Sequence, residues 1–131
     1  MILVDSSVWI AYLRDIASPE VETLDGLIRG GADICITEPV IMELLAGAQG
    51  ARNRAQVENL VNGLPLLGLD PGADFRGAAE LYRASMANGH PIRSMTDCLI
   101  AAVAIRRDVP LLERDRDFAY LAQVSSLRLH R

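Results

Sequence analysis

The strongest constraint on the fold is an alternation of short apolar runs with helix-periodic segments along 131 residues. Ile2–Val4 is fully apolar and suits a buried central strand. Asp5, Ser6 and Ser7 then offer an N-cap, and Val8–Leu13 reads as a helix. Val21, Leu24, Leu27 and Ile28 recur at helical spacing until Gly30–Gly31 stops them. Asp33–Ile36 is the second expected strand. Thr37 caps the next helix, with Glu38 and Pro39 in its first turn and Gly47 near its end. A more polar helix is expected over Ala51–Asn62, a third strand over Leu64–Leu69 and a long helix over Pro71–Ala87, closed by Asn88–Gly89. Ser94 and Asp97 fit a capping box that opens a helix over Asp97–Arg107. Pro110–Leu112 reads as a fourth strand, Phe118–Ala122 as a short helix and Leu127–Leu129 as an edge strand.

Strands alternating with helices imply an α/β fold whose mainly parallel sheet is covered on both faces. No repeat, low-complexity tract or linker interrupts the chain, so a single domain over 1–131 is expected. No apolar run approaches the ~20 residues of a membrane span. The N-terminus has no cationic start and meets Asp5 after three apolar residues, unlike a signal peptide, so a cytoplasmic location without membrane attachment is expected. Cys35 and Cys98 lack metal-ligand spacing, sit in apolar runs and read as reduced core residues.

In open parallel sheets, function collects beyond the carboxyl ends of the strands. Acidic residues gather there. Asp5 follows the first strand, Asp115 and Asp117 follow the fourth, and Asp97 opens the helix that feeds the fourth. Glu43 lies about six residues into the helix that leaves the second strand, or ~9 Å along its axis. Plainer roles exist for most of them: Asp97 as half of a capping box, Asp5 as a cap, Asp115 and Asp117 as a turn paired with Arg114 and Arg116. Glu43 resists such a role, because Val40–Ala46 is apolar almost all round and implies a buried helix with no basic residue within a turn.

Clustered carboxylates repel and raise one another's pKa values unless a cation intervenes. All-oxygen ligands select hard ions such as Mg²⁺ or Mn²⁺, which activate water and neutralise charge on a scissile phosphate. Such ions would also reconcile a net charge of −4 with a polyanionic substrate. Every basic residue is Arg, a bias that codon usage alone can explain. There is no P-loop, no G-x-G-x-x-G, no G-x-S-x-G and no C-x-x-C. His90 and His130 are 40 residues apart and read as structural or surface residues. Asp5–Ser6–Ser7 also lacks the second aspartate of a haloacid-dehalogenase phosphatase.

Four stretches in order, ILVDSSVWIAYL at 2–13, ITEPVIMELLAGA at 36–48, SMTDCLIAAVAI at 94–105 and LLERDRDFAYLA at 111–122, resemble a PIN domain of the VapC toxin type from VapBC toxin–antitoxin modules. The resemblance spans the whole chain. It implies a PIN-like α/β/α sandwich, with Asp5, Glu43, Asp97 and Asp115 as a catalytic quartet that holds one or two Mg²⁺ or Mn²⁺ ions. It places Asp117 as an additional acid, and Ser7 and Thr96 as supporting hydroxyls. It further implies an endoribonuclease acting on transfer or ribosomal RNA, often a homodimer, and inhibited by a VapB antitoxin that inserts a basic side chain into the acidic pocket. Arg93, Arg114 and Arg116 are the basic residues nearest that pocket in sequence and are candidates for RNA phosphates. The apolar helices Val8–Leu13 and Val40–Ala46 offer either a partner groove or core packing. Two other readings remain at this point: a non-catalytic PIN-like module whose acidic pocket grips a basic protein segment, and a small phosphatase or phosphotransferase.

Overall fold

The computed structural model describes all residues from Met1 to Arg131. Its elements run β1 (Ile2–Val4), α1 (Ser6–Leu13), α2 (Pro19–Arg29), β2 (Ile34–Cys35), α3 (Glu38–Gly47), α4 (Gly50–Asn62), α5 (Pro71–Ala87), α6 (Met95–Arg107), β3 (Leu111–Leu112) and α7 (Arg116–Gln123). All three strands are parallel, in the order β2-β1-β3. β1 is therefore central, with Leu3 and Val4 fully buried. The chain passes from β1 to β2 on one side and then crosses from β2 to β3 on the other, so the strand order reverses between β1 and β3 and opens a crevice at their carboxyl ends. No helix is long and apolar enough to cross a membrane.

The expected helices all form, with ends displaced by a few residues. Capping explains several of these ends. Asp5 accepts from the Ser7 amide, Ser18 Oγ from Val21 and Asp70 from Gly72, while Pro19 and Pro71 occupy first-turn positions. Ser94 Oγ accepts from the Asp97 amide, so that half of the expected box is present. α6 ends on Asp108 in the left-handed region (φ 53°).

Two expected strands do not form. Leu64–Leu69 contributes a single parallel bridge, Leu66 to Ile36, because Pro65 and Gly68 break the run and Leu66 is 56% exposed. Leu127–Leu129 likewise gives one bridge, Leu129 to Leu111. Each still serves backbone groups at a sheet edge, through Leu67 N–H to Ile36 O (2.7 Å) and His130 N–H to Leu111 O (2.8 Å).

A core of 27 buried residues fills the space between sheet and helices, with Trp9, Phe118, Leu24 and Ile100 among its largest members. Cys35 and Cys98 are buried free thiols, as expected. α5 and α6 pack closely: a Cβ on Gly77 would lie 3.4 Å from that of Ala102. Beyond this contact sits an ion pair that the sequence does not advertise. The Arg106 guanidinium donates from Nε to Asp74 Oδ1 (2.8 Å) and from Nη2 to Asp74 Oδ2 (2.9 Å) and Gly68 O (2.8 Å). Asp74 is 1% exposed and also accepts from the Asp70 amide. Burial alone would raise its pKa; the Arg106 hydrogen bonds, the Asp70 amide and the Arg106 charge together hold it below the ordinary carboxylate value.

Removing one partner leaves a buried carboxylate uncompensated. Arg106→Ala should therefore cost about 2–3 kcal/mol, less than a fully buried pair because the guanidinium is partly hydrated. Adding Asp74→Ala should recover part of that loss. Urea denaturation of both variants checks this, and an Arg106→Ala midpoint equal to wild type would contradict it.

Candidate active site

Four helices bring acids to the crevice. Asp5 stands directly after β1 and caps α1, Asp115 follows β3 and caps α7, and Asp97 lies in the first turn of α6. Glu43 extends from the middle of α3. Carboxylate oxygens of Asp5, Glu43 and Asp97 lie within 4.8 Å of one another, as do those of Asp97, Asp115 and Asp117. Asp97 belongs to both groups and is the hub. The predicted acids thus converge from segments more than 100 residues apart.

Asp5, Asp97 and Asp117 are buried, while Asp115 and Glu43 are half-buried. Glu43 reaches the cluster although α3 is not buried all round, as the sequence had implied: Met42 is 55% exposed and Ala46 also faces solvent. No Arg pairs with Glu43, nor do Arg114 or Arg116 pair with Asp115 or Asp117. The one ion pair at the site is Arg93 Nε to Asp117 Oδ2 at 3.8 Å.

Hydroxyls fix the acids. Ser7 Oγ donates a short hydrogen bond to Asp5 Oδ2 and accepts from the Arg114 amide (3.2 Å), which ties α1 to the β3–α7 loop. Ser6 Oγ donates to Glu43 Oε1 at 2.8 Å. Sequence reasoning had treated Ser6 only as part of the cap, and a 37-residue separation from Glu43 gives no local signal of this bond. Thr96 makes no such contact. It lines an apolar cleft with Met42, Phe75 and Met95 beside the acids.

The electrostatics follow from burial and crowding. Burial foremost, then the charges of Asp5, Asp115, Glu43 and Asp117, push Asp97 up to about 7. Asp5 rises to about 6, again mainly through burial, with the Ser7 bonds pulling the other way and Glu43 adding to the rise. Burial and the nearby Asp97 and Asp117 raise the Cys98 thiol to about 11, so it stays protonated and inert. Three helices, α1, α6 and α7, aim their N-termini at the cluster and offset part of its charge.

Among the acids, one buried oxygen stays unsatisfied. Asp5 Oδ1 is buried with no hydrogen-bond partner. Within an all-oxygen donor set, an orphaned carboxylate oxygen fits a hard divalent cation. Beside the acids, Ser7, Arg93, Arg114, Asp115 and Arg116 line an open cleft of about 510 Å³ that holds no hydrophobic residue. The site therefore sets clustered acids against a rim of exposed guanidinium groups.

Comparison with known proteins agrees with this geometry. The PIN domain family matches residues 2–124. A VapC ribonuclease from Mycobacterium bovis and ribonuclease VapC11 from Mycobacterium tuberculosis are each 44% identical over 131 residues, covering 98% of this chain and 96% of theirs. Among solved structures, VapBC2 from Rickettsia felis bound to a promoter DNA fragment superposes with a TM-score of 0.78 at 18% identity, over 99% of this chain and 98% of that one. The expected PIN-like architecture is thus borne out, and the chain belongs to the PIN-domain family, among the VapC ribonucleases.

Proposed function

We propose that this chain acts in the cytoplasm as an endoribonuclease toxin, cleaving transfer or ribosomal RNA at the acidic cleft with Mg²⁺ or Mn²⁺. The observation that carries this reading is the position of Asp97, shared by both acid groups and grouped with Asp5, whose buried Oδ1 has no partner. Asp5, Glu43, Asp97 and Asp115 would hold the metal, and Asp117 would support them. When bound, the ion supplies a water of lowered pKa and neutralises charge at the scissile phosphate. Ser7 holds one oxygen of Asp5 and leaves the other free, and Ser6 does the same for Glu43. Arg93, Arg114 and Arg116 orient flanking phosphates along the cleft.

A VapB-type antitoxin would inhibit by placing a basic side chain among the acids, where charge complementarity is strongest. Its apolar segment has a cleft of about 260 Å³ in which Ile10 and Leu13 of α1 face Leu44 of α3 and Val57 of α4. Val8, Trp9, Ala11 and Val40 are spent on the core, and Leu44 and Val57 are largely buried in it too, so Ile10 and Leu13 are the more open apolar groups of that cleft. A second copy would cover the face carrying Met42, Phe75 and Met95, each at least half exposed.

Asp97→Asn should keep the fold and lose more activity than the about 10- to 100-fold expected for Ser6→Ala or Ser7→Ala. Discrete RNA fragments formed with Mg²⁺ or Mn²⁺, and abolished by EDTA or by the antitoxin, check the reading; full activity of Asp97→Asn would refute the assignment. Without metal, the raised pKa values of Asp97 and Asp5 mean that the folded state binds more protons than the unfolded one. Their stabilising contribution is complete below the unfolded carboxylate pKa of about 4 and disappears as pH rises through 6 to 7. The melting temperature in EDTA should fall over that window, recover with Mg²⁺ and fall less in Asp97→Asn. Finally, Phe75→Glu should convert a dimer to a monomer by light scattering, and an unchanged mass would locate the contact elsewhere.

A further inference from the structure

The loop joining α5 to α6 carries an aromatic side chain that the acidic mechanism does not use. His90 stacks on Tyr120 of α7 with ring centroids 4.2 Å apart and planes within 2° of parallel. Tyr120 is half-buried and supplies a fixed backing, while His90 is exposed. The pair stands close to the acids by two independent routes. Tyr120 follows Asp117 by three residues on α7, so the two share a helix face about 5–6 Å apart. Arg93 follows His90 by three residues, and its guanidinium reaches Asp117 Oδ2 at 3.8 Å.

We propose that the stacked His90–Tyr120 pair is a base-stacking platform for an unpaired nucleotide next to the cleaved phosphodiester of the RNA. The proposal rests on the ribonuclease reading above and adds to it a contact with the base rather than the phosphate. The chemistry favours a nucleobase for three reasons. An aromatic ring already backed by a second ring is rigid, so little conformational freedom is lost when a third plane is added. A flat π-surface accepts any base, which suits a strand held mainly through its phosphates. Arg93, three residues away and 75% exposed at its side chain, retains free N–H groups for the phosphate of the same nucleotide. A double-stranded segment could not use the platform, because its bases are already stacked, so the surface selects loops, bulges and single strands.

The test uses the Asp97→Asn protein with Mg²⁺ and short single-stranded RNAs in which one 2-aminopurine is moved along the strand. Stacking on the platform should quench the fluorophore at one position. His90→Ala should remove that quenching and weaken the Kd about 5-fold or more, and His90→Phe should restore both. In the background with all acids intact, His90→Ala should raise KM while leaving kcat within about twofold. His90 is exposed, so neither substitution endangers the core. Unchanged quenching and Kd in His90→Ala, with RNA still bound and cleaved, would overturn the platform and leave the nuclease standing. If the wild-type protein cleaves no RNA and the Asp97→Asn protein binds none, both readings fall together.

Discussion

Like-charge repulsion among carboxylates withdrawn from water is the constraint around which this molecule is arranged. Asp97 feels it most, because Asp5, Asp115, Glu43 and Asp117 all raise its proton affinity beyond what burial does alone. The fold answers mainly with neutral dipoles. Three helix N-termini point at the cluster, and two serine hydroxyls each hold one acid. The only cation in contact, Arg93, is exposed and loosely placed, and pairs of that kind contribute little. Dipoles hold the acids in place without cancelling their charge. The negative field that remains is what a divalent ion, or a basic inhibitor side chain, would meet.

Holding mutually repelling groups together requires a stiff frame. With β1 between β2 and β3 and all strands parallel, every strand delivers its carboxyl end to one edge. Asp5 follows β1 with no intervening residue, and Asp115 comes three residues after β3, so neither acid hangs on a long loop. α6 carries the hub, and its other end is anchored. Arg106 lies nine residues beyond Asp97, or ~14 Å along the helix, and grips Asp74 and Gly68. Gly77 lets α5 approach α6 closely at Ala102, between those two points. The Asp74–Arg106 fork therefore bears on the placement of Asp97 although it touches none of the acids.

Most of this frame was legible in the residues, and the exceptions have physical causes. The helices announced themselves through period, caps and punctuation: Pro71 and Asn88–Gly89 bracket α5 as expected. The strands were legible as positions but not as strands, since Leu64–Leu69 and Leu127–Leu129 end as single bridges. Apolar character marks burial, whereas a ladder also needs several consecutive donors in register, which Pro65 interrupts in the first of these runs. The acids were readable because each stands at an element boundary that the topology sends to the same edge. Glu43 came with a mistaken premise, for α3 has an exposed apolar face at Met42 rather than a fully buried surface. The partners Ser6–Glu43, Arg106–Asp74 and His90–Tyr120 lie 37, 32 and 30 residues apart in sequence, and no local pattern encodes contacts of that span.

A net charge of −4 is ill suited to a polyanionic substrate, and the arrangement of charge offers a way around the conflict. The acids are concentrated at the crevice floor, where three of them are buried. The guanidinium groups of Arg93, Arg114 and Arg116 stand at the rim and reach outward. An approaching RNA strand would thus meet cations first and, with a metal bound, a neutralised floor second, so the overall sign of the protein would matter less than the order in which charges are encountered. Arginine suits the rim because its planar fork binds phosphate oxygens in pairs and cannot lose its proton beside carboxylates. Without a metal the floor would repel the backbone that the rim would attract. Occupancy of the acidic cluster would then govern substrate binding as well as chemistry.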